Sequence, residues 1–238
     1  MNPVAIFRHS PTEGPGYFAI FLESRRIPWK LIPLDAGARI PERADAWSGL
    51  CFMGGPMSVN EELPWIAPVC ALIRDAIEKG IPVLGHCLGG QLISKALGGT
   101  VGKNPVPEIG WSVLNGGKDA VSRHWLGDYV GGTLDVFQWH RETFSLPEGA
   151  TLLAENACCA HQIAALGPHL ALQCHIEMLP EMIEEWCGHW QEEVTATPPP
   201  SVQTPERIQA ELPQRLPALR RVADQLYGVW VSGLAGGA

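Results

Sequence analysis

The segment Gly85-His86-Cys87-Leu88-Gly89 limits what this chain can fold into more than any other stretch. It lies between an apolar run at 81–85 and a helical run at 91–97. A cysteine with glycine two places away on either side, after a strand and before a helix, has the pattern of a nucleophile elbow with cysteine in place of serine. The turn is too tight for flanking Cβ atoms, hence the glycines, and the residue at its tip is held in strained backbone. The helix that follows presents its N-terminus to the side chain, where partial positive charge favours a thiolate. A lone buried cysteine is ordinarily a packing residue. The paired glycines are what single out Cys87.

The surrounding pattern supplies a frame for such a turn. Val4-Ala5-Ile6-Phe7 reads as a buried parallel strand, 17–26 as a helix, 29–34 as a strand, and 49–53 as another apolar strand closed by Gly54-Gly55-Pro56. Residues 65–79 have helical periodicity and end at Gly80. Strands alternating with helices predict a doubly wound α/β fold, a mostly parallel sheet with helices on both faces. From about 100 to 171 the segments shorten and alternate, which predicts a more antiparallel portion. A last core strand is expected at 170–175, running into Gln173-Cys174-His175-Ile176-Glu177, with a helix at 180–193.

Composition narrows the functional classes. The 238 residues are 46% hydrophobic and 18% charged, with a net charge of −8. That is an ordinary soluble balance with no basic stripe for nucleic acid. No apolar stretch reaches membrane-spanning length, and the N-terminus lacks a secretory pattern. The seven cysteines include no C-x-x-C pair, and Cys158-Cys159 is a poor start for a metal site. Reduced thiols in a cytoplasmic protein, with no metal or organic cofactor, are the expectation.

A cysteine nucleophile needs a base, and the base needs an orienting group. His175 and Glu177, two residues apart on an extended segment, point the same way and offer both. A His-x-Glu at a strand end is by itself commonplace, and seven other histidines compete. The glycine pair at 54–55 would bring bare backbone N–H groups to the carboxyl edge of the sheet, where an oxyanion could be held. Alone it is a plain Gly-Pro turn.

Together the three motifs resemble the class I glutamine amidotransferase family, which carries a Gly-Gly-Pro loop, a Gly-x-Cys-x-Gly-x-Gln elbow and a Gln-x-His-x-Glu segment in that order. Here they are Gly54-Gly55-Pro56, residues 85–91 and residues 173–177. The resemblance covers about residues 1–192. Glu108-Ile109-Gly110-Trp111 and Phe137-Gln138-Trp139-His140-Arg141-Glu142 are similar to segments of stand-alone members related to the glutaminase part of GMP synthase. The resemblance implies a flavodoxin-like amidotransferase fold. It implies Cys87 as nucleophile, His175 as base and then acid, and Glu177 as the group orienting His175. It further implies an oxyanion hole from the N–H groups of Gly55 and Leu88, with Gln91, Trp139 and His140 holding the amino-acid end of the substrate. The substrate would be glutamine or a γ-glutamyl compound, and the ammonia acceptor a separate synthase subunit.

Two residues depart from the family pattern. Ile176 stands where proline is usual, which frees φ, adds an N–H, and predicts a less firmly fixed Glu177 that would tolerate a return to proline. His86 replaces a small or aliphatic residue and is expected to point away from Cys87 as a core histidine with a partner. A free-standing γ-glutamyl amide or peptide hydrolase uses the same machinery and is the rival reading. A non-catalytic regulatory module of the same fold is the reading from another class, opposed by the intact triad. The catalytic domain is expected over 1–193, a Pro-rich linker over 194–205, and a helical tail over 206–238, broken at Pro213 and Pro217. In that tail Ile208, Leu212, Leu216, Leu219, Val222 and Leu226 form one apolar face, which should dock on the domain or on a second copy in a homodimer.

Overall fold

The computed structural model describes residues 1–189 and 200–234. A nine-stranded sheet runs through the molecule in the order β2-β1-β3-β4-β9-β8-β7-β5-β6. Its first five strands are parallel: β2 (Trp29–Pro33), β1 (Val4–Arg8), β3 (Gly49–Phe52), β4 (Val83–His86) and β9 (His169–Leu172). The remainder is antiparallel: β8 (Ile163–Leu166), β7 (Thr151–Glu155), β5 (Val101–Gly116) and β6 (Thr133–Phe144). Alternation along β1 shows how both faces are used, because Val4 and Ile6 enter one core and Ala5 and Phe7 the other. A strand buried on both faces reads in sequence as an unbroken apolar run.

Helices cover each face. On one side lie α2 (Ile66–Glu78) and α3 (Leu88–Ala96). On the other lie α1 (Gly16–Ser24), the short α4 (Ala120–Leu126), α5 (Pro180–His189) and α6 (Pro205–Ser232). The helix expected to continue to residue 193, and most of the expected linker at 194–205, extend into positions outside the described residues.

Two differences from the sequence reading have clear physical causes. The last parallel strand stops at Leu172, and the chain bends at Gln173 and Cys174. His175 is then held by an isolated antiparallel bridge to Phe137 of β6, so β6 fixes the segment that carries His175 and Glu177. Secondly, α6 is one helix of 28 residues containing both Pro213 and Pro217 rather than a helix broken at them. Each proline leaves the carbonyl four residues earlier without a donor, at Gln209 and Pro213, and both residues are exposed, so water can supply the missing bond. The apolar face of α6 docks within the chain, one of the two placements expected for it. Ile208, Leu219, Val222, Leu226, Tyr227 and Trp230 join the same core as β1 and α1. Gly49 in β3 is glycine because a Cβ there would meet the Trp230 ring at 2.7 Å and Leu234 at 2.6 Å.

Candidate active site

The parallel strands β1, β3, β4 and β9 end at one edge, the usual location of a site in an open α/β sheet. Cys87 sits there between β4 and α3 with φ 48° and ψ −105°. It is one of two non-glycine residues with positive φ among the described residues. The glycines of the elbow answer to steric need. A Cβ on Gly85 would strike the backbone of Gly89 and Gly90, and one on Gly89 would strike the Phe52 carbonyl. Since those neighbours are main chain, the turn cannot relax around a side chain. The Cys87 amide donates to Leu172 of β9 at 2.7 Å, which ties the elbow to the strand preceding His175.

His175, Cys87 and Glu177 come together as the motif order suggested. His175 Nδ1–H donates to Glu177 Oε1 at 2.6 Å, which leaves Nε2 for the thiol. Burial opposes charge on the His175 ring. The Glu177 carboxylate and hydrogen bonding with Cys87 outweigh it and hold the ring well above its ordinary range. Glu177 is likewise buried, yet the positive charge on His175 keeps it well below the carboxylate range. The pair therefore stores an ion pair away from water, ready to give or take a proton. Trp186 packs edge-on against the His175 ring, with centroids 4.9 Å apart.

Ile176 behaves differently from the expectation. Its N–H donates to Glu177 Oε2 at 2.9 Å, a bond that proline could not make. The substitution fixes the carboxylate instead of loosening it. His86 points away from the thiol as expected, with Nε2 at 2.8 Å from the Tyr227 hydroxyl and Nδ1 at 3.8 Å from Cys51 Sγ.

A cleft of about 570 Å³ opens over the thiol, lined by Gly55, Gln91, Trp139 and His140 among others. Gly55 lies against Leu88, since a Cβ on it would meet the leucine side chain at 2.6 Å. The two residues expected to form an oxyanion hole are thus neighbours. The Gln91 amide donates to Gln173 Oε1 at 3.3 Å, and Gln173 donates in turn to Cys87 Sγ at 3.6 Å. The main-chain carbonyl of Trp139 lies 4.0 Å from the same sulfur. His140 is committed to the protein through both ring nitrogens, at 3.0 Å from the Glu142 carbonyl and 3.1 Å from Glu108 Oε2. Glu108 also accepts from Asn156 and Gln162. Ligand atoms of Glu108, His140 and Cys159 lie within 4.8 Å of one another. With both carboxylate oxygens of Glu108 already taken, the cluster is a hydrogen-bonded brace between β5 and β6.

Glu13 and Gln173 are site residues to which sequence reasoning gave no role. Glu13 lies in the loop between β1 and α1, is 5% exposed and lines the cleft. A Cβ on Gly54 would collide with its carboxylate and would stand 3.2 Å from His175 Cε1, so the carboxylate adjoins the imidazole edge. Burial raises the Glu13 carboxyl to about 7, with positive His175 drawing it down and Glu177 pushing it up. The loop is pulled inward by Trp186, whose Nε1–H donates to the Thr12 carbonyl at 2.8 Å. The signal available in sequence was position alone, a carboxylate just after the first strand of the sheet.

The chain is similar to proteins of one family. Residues 21–185 match the family model of glutamine amidotransferase class-I. The chain is 34% identical over 194 residues to the glutamine amidotransferase-like protein YfeJ of Salmonella typhimurium, covering 78% of this chain and 80% of that one. It is 28% identical over 179 residues to gamma-glutamyl peptidase 3 of Arabidopsis thaliana, covering 71% and 72%. The crystal structure of a glutamine amido transferase from Methylobacillus flagellatus superposes with a TM-score of 0.94 at 40% identity, covering 98% of this chain and 96% of that one.

Proposed function

The chain belongs to the class-I glutamine amidotransferase family, and from that premise we propose that it hydrolyses the side-chain amide of glutamine through a thioester on Cys87. The observation that carries this reading is the strained elbow, which sets Cys87 against a buried His175–Glu177 ion pair beneath an open cleft. The Cys87 thiolate attacks the amide carbon, and the N–H groups of Gly55 and Leu88 receive the oxyanion. His175 Nε2–H protonates the amide nitrogen as the C–N bond breaks and ammonia departs. Water then attacks the thioester, His175 takes its proton, and Sγ leaves as thiolate with release of glutamate. Glu177 keeps the imidazole in the productive tautomer throughout. The ammonia would pass to an acceptor held by a separate synthase subunit.

A second reading, a free-standing γ-glutamyl amide or peptide hydrolase, is favoured by the size of the cleft. At about 570 Å³ it offers space beyond one glutamine side chain. The likeness to a gamma-glutamyl peptidase supports the same reading. The experiment is mass spectrometry after treatment with a glutamine-like electrophile, with steady-state turnover of glutamine and of γ-glutamyl amides and peptides by the isolated protein. One adduct on Cys87, abolished in Cys87→Ala, is expected. Fast turnover of a γ-glutamyl peptide without any partner would select the hydrolase, and labelling spread over other thiols would overturn both readings.

A further inference from the structure

Two residues depart from the family pattern, His86 inside the elbow and Ile176 between the histidine and glutamate of the triad, and a third element, α6, lies beyond the matched residues 21–185. In the fold they converge on one atom, Glu177 Oε2. The Ile176 N–H donates to it at 2.9 Å, and His86 Nε2 approaches it to 3.8 Å. The Tyr227 hydroxyl of α6 lies 2.8 Å from the same His86 nitrogen. We propose that Tyr227 is a positioning residue for catalysis, holding the His86 ring so that His86 and the Ile176 amide together fix the second oxygen of Glu177. The inference rests on the assignment of Cys87, His175 and Glu177 as the triad.

The surroundings explain why this contact acts on the carboxylate. Tyr227 and His86 are fully buried and Glu177 is 1% exposed, so no water can replace a lost partner. Phe18 and Phe21 pack on the Tyr227 ring, with centroids at 4.8 and 5.5 Å, and form an apolar wall. Burial holds His86 at about 4, so the ring is neutral at neutral pH. The negative charge of Glu177 then selects the tautomer with hydrogen on Nε2, because a lone pair facing a carboxylate would be repelled. That N–H faces both the tyrosine oxygen and Glu177 Oε2. Cys51 and Met53 fill the far side, with Cys51 Sγ 3.8 Å from Nδ1 and 3.7 Å from the methionine sulfur. The other titratable groups around the carboxylate are His175, Glu13 and Cys174. Without the hydroxyl, the His86 ring is no longer held against Oε2, and the Ile176 amide alone fixes that oxygen. Oε1 would then shift against His175.

The test is the full-length Tyr227→Phe protein, which keeps the ring and loses only the hydroxyl. Two readouts separate positioning from packing. The first is the pH profile of Cys87 alkylation by iodoacetamide, which needs no substrate. The second is kcat and KM on whichever γ-glutamyl compound the wild type turns over. Tyr227→Phe should lower kcat about fivefold with KM unchanged, the effect of losing one buried hydrogen bond. It should also move the alkylation profile to higher pH, since a loosened Glu177 supports the imidazolium less. In a His86→Leu background the same change should cost nothing further in kcat, because the route runs through that ring. A folded Tyr227→Phe with wild-type profile and kcat would overturn the inference, as would equal losses with and without His86. If the wild type neither turns over γ-glutamyl compounds nor labels at Cys87, the thioester reading itself fails and takes this inference with it.

Discussion

Replacing Glu13 with glutamine should make the protein more stable at pH 8 relative to pH 5 while impairing its chemistry. Its carboxyl is raised from 4.5 to about 7, so the native state holds that proton more tightly than the unfolded chain. Native stability is therefore unaffected below the unfolded value, falls as pH rises through the interval, and stays reduced above it. The full cost is ~3 kcal/mol near pH 8 against about 1 kcal/mol near pH 5, taking both values into the linkage relation. Glutamine abolishes the ionisation but places an amide in a buried position, a penalty of roughly 1–3 kcal/mol that does not vary with pH. The informative quantity is thus the difference between the stability changes at the two pH values, ~2.5 kcal/mol in favour of the variant at the higher one. Urea unfolding of both proteins at pH 5 and pH 8 measures it. Turnover should fall in the same variant, because the charge beside His175 Cε1 is gone. A stability change that is the same at both pH values would show that Glu13 ionises normally and refute the reasoning. Stabilisation bought at the expense of turnover is the usual mark of a functional carboxylate.

Other substitutions test the remaining contacts. Ile176→Pro removes the 2.9 Å bond to Glu177 Oε2 and should lower kcat about fivefold; activity kept or raised would mean that the amide contributes nothing. Gly89→Ala drives a methyl into the Phe52 carbonyl and should cost ~3 kcal/mol in urea unfolding; a neutral effect would show the elbow to be slack. Removing residues 200–238 strips Tyr227 and Trp230 from the core, where each large aromatic is worth about 3–5 kcal/mol against a total stability of roughly 5–15. Near-UV circular dichroism should show no native packing in that truncation, and a folded product that labels normally at Cys87 would contradict it.

The sequence by itself determined what depends on neighbours in the chain. Gly85 and Gly89 flank Cys87 because the turn geometry forbids Cβ atoms, and that constraint is local. The apolar runs that became β1, β3 and β4 were legible for a related reason. Strands buried on both faces need unbroken hydrophobic residues wherever they stand. His175 and Glu177 could be paired because two residues of extended chain place them on one side, even though the strand itself ends at Leu172. What only the tertiary structure decided concerns contacts between distant segments. Tyr227 meets His86 across 141 residues of sequence, and the α6 stripe finds its partner in the chain's own core. The helix runs through two prolines because its orphaned carbonyls happen to face solvent. Glu13 turns inward because Trp186, 174 residues beyond Thr12, draws its loop over the site. Each of these is set by which groups remain unsatisfied once the core has closed, and periodicity carries no record of that.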